Sequence, residues 1–106
     1  MAWTLLLLAG LSEIAWAIGL KYTDGFSRLW PSVGTVSMMV VSVVLLGLAL
    51  KHIPLGTGYA IWTGIGAVGT AVLGIFLFNE SRELARLFFI GLIVAGIVGL
   101  KVVSVE

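Results

Sequence analysis

The chain of 106 residues has no cysteine, one histidine and two prolines. Without cysteine there is no disulfide framework and no thiolate metal site. One histidine and five acidic residues cannot supply a metal-ligand cluster, so metal catalysis is excluded and no metal or cofactor is expected. Charge is scarce too. Asp, Glu, Lys and Arg make up 10% of the residues, against about 25% in a soluble domain. A net charge of +1 gives no sign of a nucleic-acid partner. No nucleophile–base pair points to an enzyme.

What is abundant is apolar: 60% of the residues are hydrophobic. A helix needs about 20 apolar residues to cross about 30 Å of hydrocarbon. Four stretches approach that length, at about 3–20, 32–50, 55–78 and 87–105. The expectation is an all-α integral membrane protein, residues 1–106 forming a single domain of four transmembrane helices. The first stretch has no basic residue before it and no convincing cleavage site, so it reads as a retained span rather than a secretory signal. Polar turns separate the stretches at 21–28, 51–56 and 79–83. Pro31 suits the first turn of the second helix, where a missing N–H costs nothing. Lys101 can lay its stem along the fourth helix and bring its charge to the headgroups, and Trp3, Tyr22 and Trp30 stand where an aromatic belt would.

With four spans the termini share one side with the 51–56 loop, which places Lys51 and Lys101 against Lys21, Arg28, Arg82 and Arg86 opposite. Basic residues concentrate on the cytoplasmic side, so this count favours the odd loops there by a small margin. So even a distribution suits a chain that inserts both ways as well as one with a single topology.

Glu13 stands in the middle of the first span with no other ionisable group. A charge there costs about 2.5–3.5 kcal/mol on insertion scales, and intramembrane acids mark ion or proton sites by default. The bland reading is a carboxylate tied to a base or kept protonated for packing. Gly10, Glu13 and Trp16 share a helix face at intervals of three. Tyr59, Trp62, Thr63 and Gly66 do the same in the third span, and Ser42 is a mid-span hydroxyl in the second. For the aromatics the competing reading is packing, and for Ser42 a bond back to its own helix. His52 reads as a loop residue, and Glu80, Arg82, Glu83 and Arg86 as loop charges.

Four short helices enclose little on their own, so a solute cavity calls for an oligomer. Gly91, Ala95 and Gly99 recur every four residues, the small-residue spacing that allows close helix approach; Gly56, Ala60 and Gly64 repeat it. Residues 64–69, Gly-Ile-Gly-Ala-Val-Gly, match the dinucleotide-binding fingerprint. That motif requires a preceding strand in a βαβ unit, whereas these glycines lie inside a span and serve packing instead.

The run from Ser12-Glu13-Ile14-Ala15-Trp16 to Lys21-Tyr22, the run Gly25-Phe26-Ser27-Arg28-Leu29-Trp30-Pro31, and the run from Pro54-Leu55-Gly56-Thr57-Gly58-Tyr59 to Trp62-Thr63-Gly64-Ile65-Gly66 resemble the small multidrug resistance transporters over essentially the full chain. Trp16 after the glutamate, the 56–66 run and Gly99-Leu100-Lys101 resemble that family's guanidinium-exporter branch; the branch for quaternary ammonium compounds usually has a small residue at Trp16.

The resemblance implies an antiparallel, dual-topology homodimer in the bacterial inner membrane that exchanges protons for guanidinium or small substituted guanidinium ions by alternating access. It implies Glu13 as the shared proton and substrate ligand, lined by Gly10, Trp16, Ser42, Tyr59 and Trp62, with Thr63 and Gly66 as secondary lining and Gly91, Ala95 and Gly99 in dimer packing. Two such carboxylates facing one cavity titrate as a coupled pair. In this picture Ser42 and Trp62 orient the carboxylates, while Trp16 and Tyr59 form walls. Two other readings stand beside it: a broad exporter of quaternary ammonium or hydrophobic cations, and a non-transporting accessory or lipid-handling subunit.

Overall fold

A computed structural model describes residues 1–103, and among them all regular structure is helical: α1 Ala2–Tyr22, α2 Leu29–Ala49, α3 Leu55–Leu77 and α4 Leu84–Val103. Each is long and apolar enough to cross a membrane. The end expected for the fourth helix, at residue 105, lies outside the described residues. Two helices start three residues earlier than the apolar runs. α2 begins at Leu29, so Pro31 is its third residue, still within the first turn, where N–H groups have no intrahelical partner. Leu84, Ala85 and Arg86 are strong helix formers that extend α4 back by a turn.

The turn after α1 is built locally. Asp24, Gly25 and Phe26 all take positive φ (49°, 71° and 67°), and the buried Thr23 hydroxyl ties them by donating to Leu20 O and accepting Phe26 N–H. Pro54 sits at the N-cap of α3 with an extended backbone, which ends the short link from α2.

α1 packs against both α2 and α3, whereas the backbone of α4 comes close to α3 alone and reaches α1 through Lys101 on the Trp3 ring. The Cα trace measures 43 × 35 × 17 Å, so the helices lie in a thin layer with α1 and α3 central. The buried centre is small: Leu6 and Ala9 of α1, Leu46 and Ala49 of α2, Ile53, and Ile61 and Trp62 of α3. Long apolar side chains cover the outside, among them Val40, Val43, Val44, Phe76, Phe88 and Phe89. In a membrane these face lipid or another subunit.

The glycines of the dinucleotide-like run take up packing knobs. A Cβ on Gly64 would collide with Ile97 of α4, one on Gly66 with the Glu13 carboxyl, and one on Gly69 with Ile14. Gly10 of α1 returns the arrangement, fitted against Ile65. Side chains of α1 thus set into notches on α3 and bring the two backbones close, as small residues do between membrane helices.

Candidate functional site

Glu13 lies midway along α1, and its carboxyl rests against the Cα of Gly66 on α3. It opens into a cleft of about 650 Å³ between α1 and α3, whose lining includes Thr63, Gly66, Ala67, Thr70, Lys21 and Glu80. Gly66, Ala67, Thr70, Ala71 and Gly74 give α3 a face of small side chains along it. The cleft runs from mid-span to the membrane surface, since Lys21 lies eight residues beyond Glu13, about 12 Å at helical rise.

Charged groups at the outer end are held in place. Lys21 Nζ lies 5.8 Å from the centre of the Phe78 ring. Glu80 Oε1 accepts from Arg86 Nη2 at 3.0 Å, and Arg86 Nη1 also donates to Ser81 O. Mid-span the opposite holds. Glu13 Oε1 and Thr70 Oγ1 are buried with no hydrogen-bond partner.

Ser42 and Trp62 form a second centre. Ser42, 0% exposed, donates to Ala9 O at 2.7 Å across the α1–α2 contact and accepts the Trp62 indole N–H at 2.9 Å. One hydroxyl therefore ties three helices. In a regular helix the Ala9 carbonyl also accepts the amide N–H four residues on, that of Glu13. Ser42 and Trp62 thus bear on the backbone that carries Glu13, while their own polar atoms are taken up with each other and with Ala9 rather than with the carboxylate. The alternative for Ser42, a bond back to its own helix, does not occur.

The remaining residues singled out in the sequence are placed as follows. Thr63 and Gly66 line the Glu13 cleft, and Gly10 is buried beside it against Ile65. Tyr59 packs on Trp62 with ring centres 5.4 Å apart, yet is 54% exposed. Trp16 is half-buried one turn from Glu13, its indole N–H buried and without a hydrogen-bond partner. Tyr59, Trp62, Ser42 and Trp16 do not line the cleft within a single chain. Gly91, Ala95 and Gly99 are exposed on α4, and a Cβ on Gly91 or Gly99 would meet nothing within 4 Å.

Thr70 escaped the sequence reading, although its signal was present: it continues the 59, 62, 63, 66 stripe by one further turn. In the sequence Lys21 belongs to a polar turn and Glu80 to the loop charges, because nothing local says that the cleft reaches them.

Residues 1–93 match the model of the Small Multidrug Resistance protein family. A protein named Guanidinium exporter from Yersinia pseudotuberculosis serotype I (strain IP32953) is 62% identical over 104 residues, covering 98% of this chain and all of that one. Proteins of the same name from Salmonella typhimurium (strain LT2) and Citrobacter freundii are 62% and 59% identical, each over 95% of this chain and 96% of their own length. Four spans and bacterial relatives of this kind make it a multi-pass protein of the bacterial inner membrane. The chain belongs to the Small Multidrug Resistance protein family.

Proposed function

We propose that this transporter exports guanidinium and small substituted guanidinium ions in exchange for protons, with Glu13 carrying the cation and the proton in turn. The observation that carries the reading is the Glu13 carboxyl at mid-membrane, with one oxygen buried and free of protein partners and a cleft leading from it to the surface. The name shared by the relatives supports guanidinium as the cargo.

The chemistry follows from the two partners. Guanidinium is planar and presents paired N–H donors, which match the two oxygens of a carboxylate in a bidentate, charge-assisted pair. A protonated carboxyl is neutral and offers no such pair. Proton and cation therefore exclude one another, and a carrier that changes sides loaded with either one exchanges them.

The carrier is an antiparallel homodimer, each subunit contributing its whole four-helix span as one unit. Three features support it: the cleft is open along its side, the α4 face bearing Gly91 and Gly99 has free space above it, and basic residues are divided two against four across the membrane. Inverted pairing lets one movement swap the side that the site faces. Across such a pair Trp16 and Tyr59 wall the cavity, Gly10 seats α1 against Ile65 of α3, and the Ser42–Trp62 knot holds α1 in position.

The test is flux into liposomes carrying purified protein and an imposed proton gradient. Guanidinium uptake should follow the gradient, outpace uptake of a quaternary ammonium ion, and vanish in Glu13→Gln. Uptake that survives Glu13→Gln would remove Glu13 from the mechanism, and equal uptake of both cations would make the protein a broad exporter.

A further inference from the structure

We infer that Thr70 is a specificity-determining ligand of the transported cation, accepting a second N–H donor while Glu13 holds the first pair. This rests on the reading of the cleft as a guanidinium site.

The Thr70 hydroxyl is buried in the cleft wall with no partner. A polar group in that state is costly, and a serine or threonine within a helix has an easy remedy: donation to the carbonyl four residues back. This chain uses that remedy repeatedly. Ser12, Ser32 and Ser37 donate to Leu8 O, Arg28 O and Val33 O. Thr70 does not, so its buried hydroxyl keeps an unused hydrogen-bonding capacity in the cleft wall. The other buried side-chain oxygen in this condition among the described residues is Glu13 Oε1, in the same cleft.

The two are spaced for one ligand. The Glu13 carboxyl rests on Gly66, and Thr70 follows Gly66 by four residues, one helical turn further along the same face. A turn is about 5.4 Å, a gap that a small planar cation can bridge with N–H donors pointing from different edges. Thr70 also lies between Glu13 and the outer end of the cleft at Glu80, so a cation from that end meets it first. Ala67, Ala71 and Gly74 keep the intervening wall free of bulk. A quaternary ammonium ion has no N–H for Thr70 to accept. The threonine therefore favours guanidinium over cations of equal charge, a distinction that Glu13 alone cannot make by charge.

The experiment compares wild type, Thr70→Val and Thr70→Ser in proteoliposomes, reading half-saturation and maximal rate for guanidinium. Val keeps the shape and removes the acceptor. The expected result is a half-saturation concentration raised by roughly tenfold or more, as for a lost hydrogen bond to a charged group, with maximal rate little changed and near-wild-type behaviour in Ser. Wild-type half-saturation in Val overturns the assignment, as does a Ser variant no better than Val. If Val does not assemble, Thr70→Ala makes the same comparison. A wild-type protein that moves no guanidinium would instead defeat the underlying reading, so the two failures are distinguishable.

Discussion

Ser42→Ala should loosen the contact among α1, α2 and α3, by an amount that the structure bounds. The substitution removes a fully buried hydroxyl that donates to Ala9 O at 2.7 Å and accepts from Trp62 Nε1 at 2.9 Å. Side-chain hydrogen bonds between membrane helices average about 0.6 kcal/mol and reach about 1.7. Two such bonds give an expected loss of about 1–3 kcal/mol, larger if the Trp62 N–H is left without a partner. The Ala9 carbonyl keeps its helical donor, so most of the penalty falls on Trp62. A double-mutant cycle isolates that part: Ser42→Ala, Trp62→Phe and the pair, unfolded reversibly in detergent or bicelles and followed by circular dichroism. Phe keeps one aromatic ring and removes the N–H, and the volume lost with the second ring enters both arms of the cycle and cancels in the coupling. The account predicts a coupling of about 0.5–1.5 kcal/mol, because contacting residues are non-additive. Additivity within about 0.3 kcal/mol, as for independent sites, would mean that the bond contributes nothing and that Ser42 does not organise the three helices.

The remaining predictions concern packing and the ends of the spans. Gly66→Ala drives a methyl into the Glu13 carboxyl; it should cost about 1–3 kcal/mol as overpacking and depress guanidinium flux. Gly47→Ala, where a Cβ meets nothing within 4 Å, should be neutral or stabilising by up to about 1 kcal/mol; equal losses for the two in the same unfolding assay would contradict the notch. Lys101 Nζ lies 4.5 Å from the Trp3 ring centre and joins α4 to α1, so Lys101→Met and Trp3→Leu should couple by about 0.5–1 kcal/mol in a stability cycle.

Much of the fold was legible because lipid permits few answers. Every backbone polar group must be satisfied within the segment, so apolar runs of spanning length meant helices. Their ends were less legible. The starts of α2 and α4 slid outward by three residues, since hydropathy marks the lipid while propensity and capping set the helix. Within the site, Glu13 was conspicuous from energetics alone, and helical spacing placed Thr63 and Gly66 on a common stripe with Tyr59 and Trp62. Spacing could not say which helix that stripe would meet. The structure sends its Thr63, Gly66 and Thr70 part toward Glu13, and buries Trp62 in a bond with Ser42. A hydroxyl's partner depends on tertiary contact: Ser12 and Ser42 are both mid-span serines, yet one turns back on its own helix and the other reaches across to Ala9. Trp16 and Tyr59 lie outside the lining of the single-chain cleft, a placement that spacing along one helix does not reveal.

The most direct test of proton and cation competing for Glu13 is the proton released when guanidinium binds. In weakly buffered detergent or nanodisc solution, guanidinium added at a pH where Glu13 is partly protonated should acidify the medium. Binding should tighten as pH rises, by at most about tenfold per pH unit for each proton displaced, and then level off once the carboxyl is fully ionised. Glu13→Gln should show neither binding nor release. Guanidinium that binds wild type equally well across the whole pH range, with no proton released, would contradict the account.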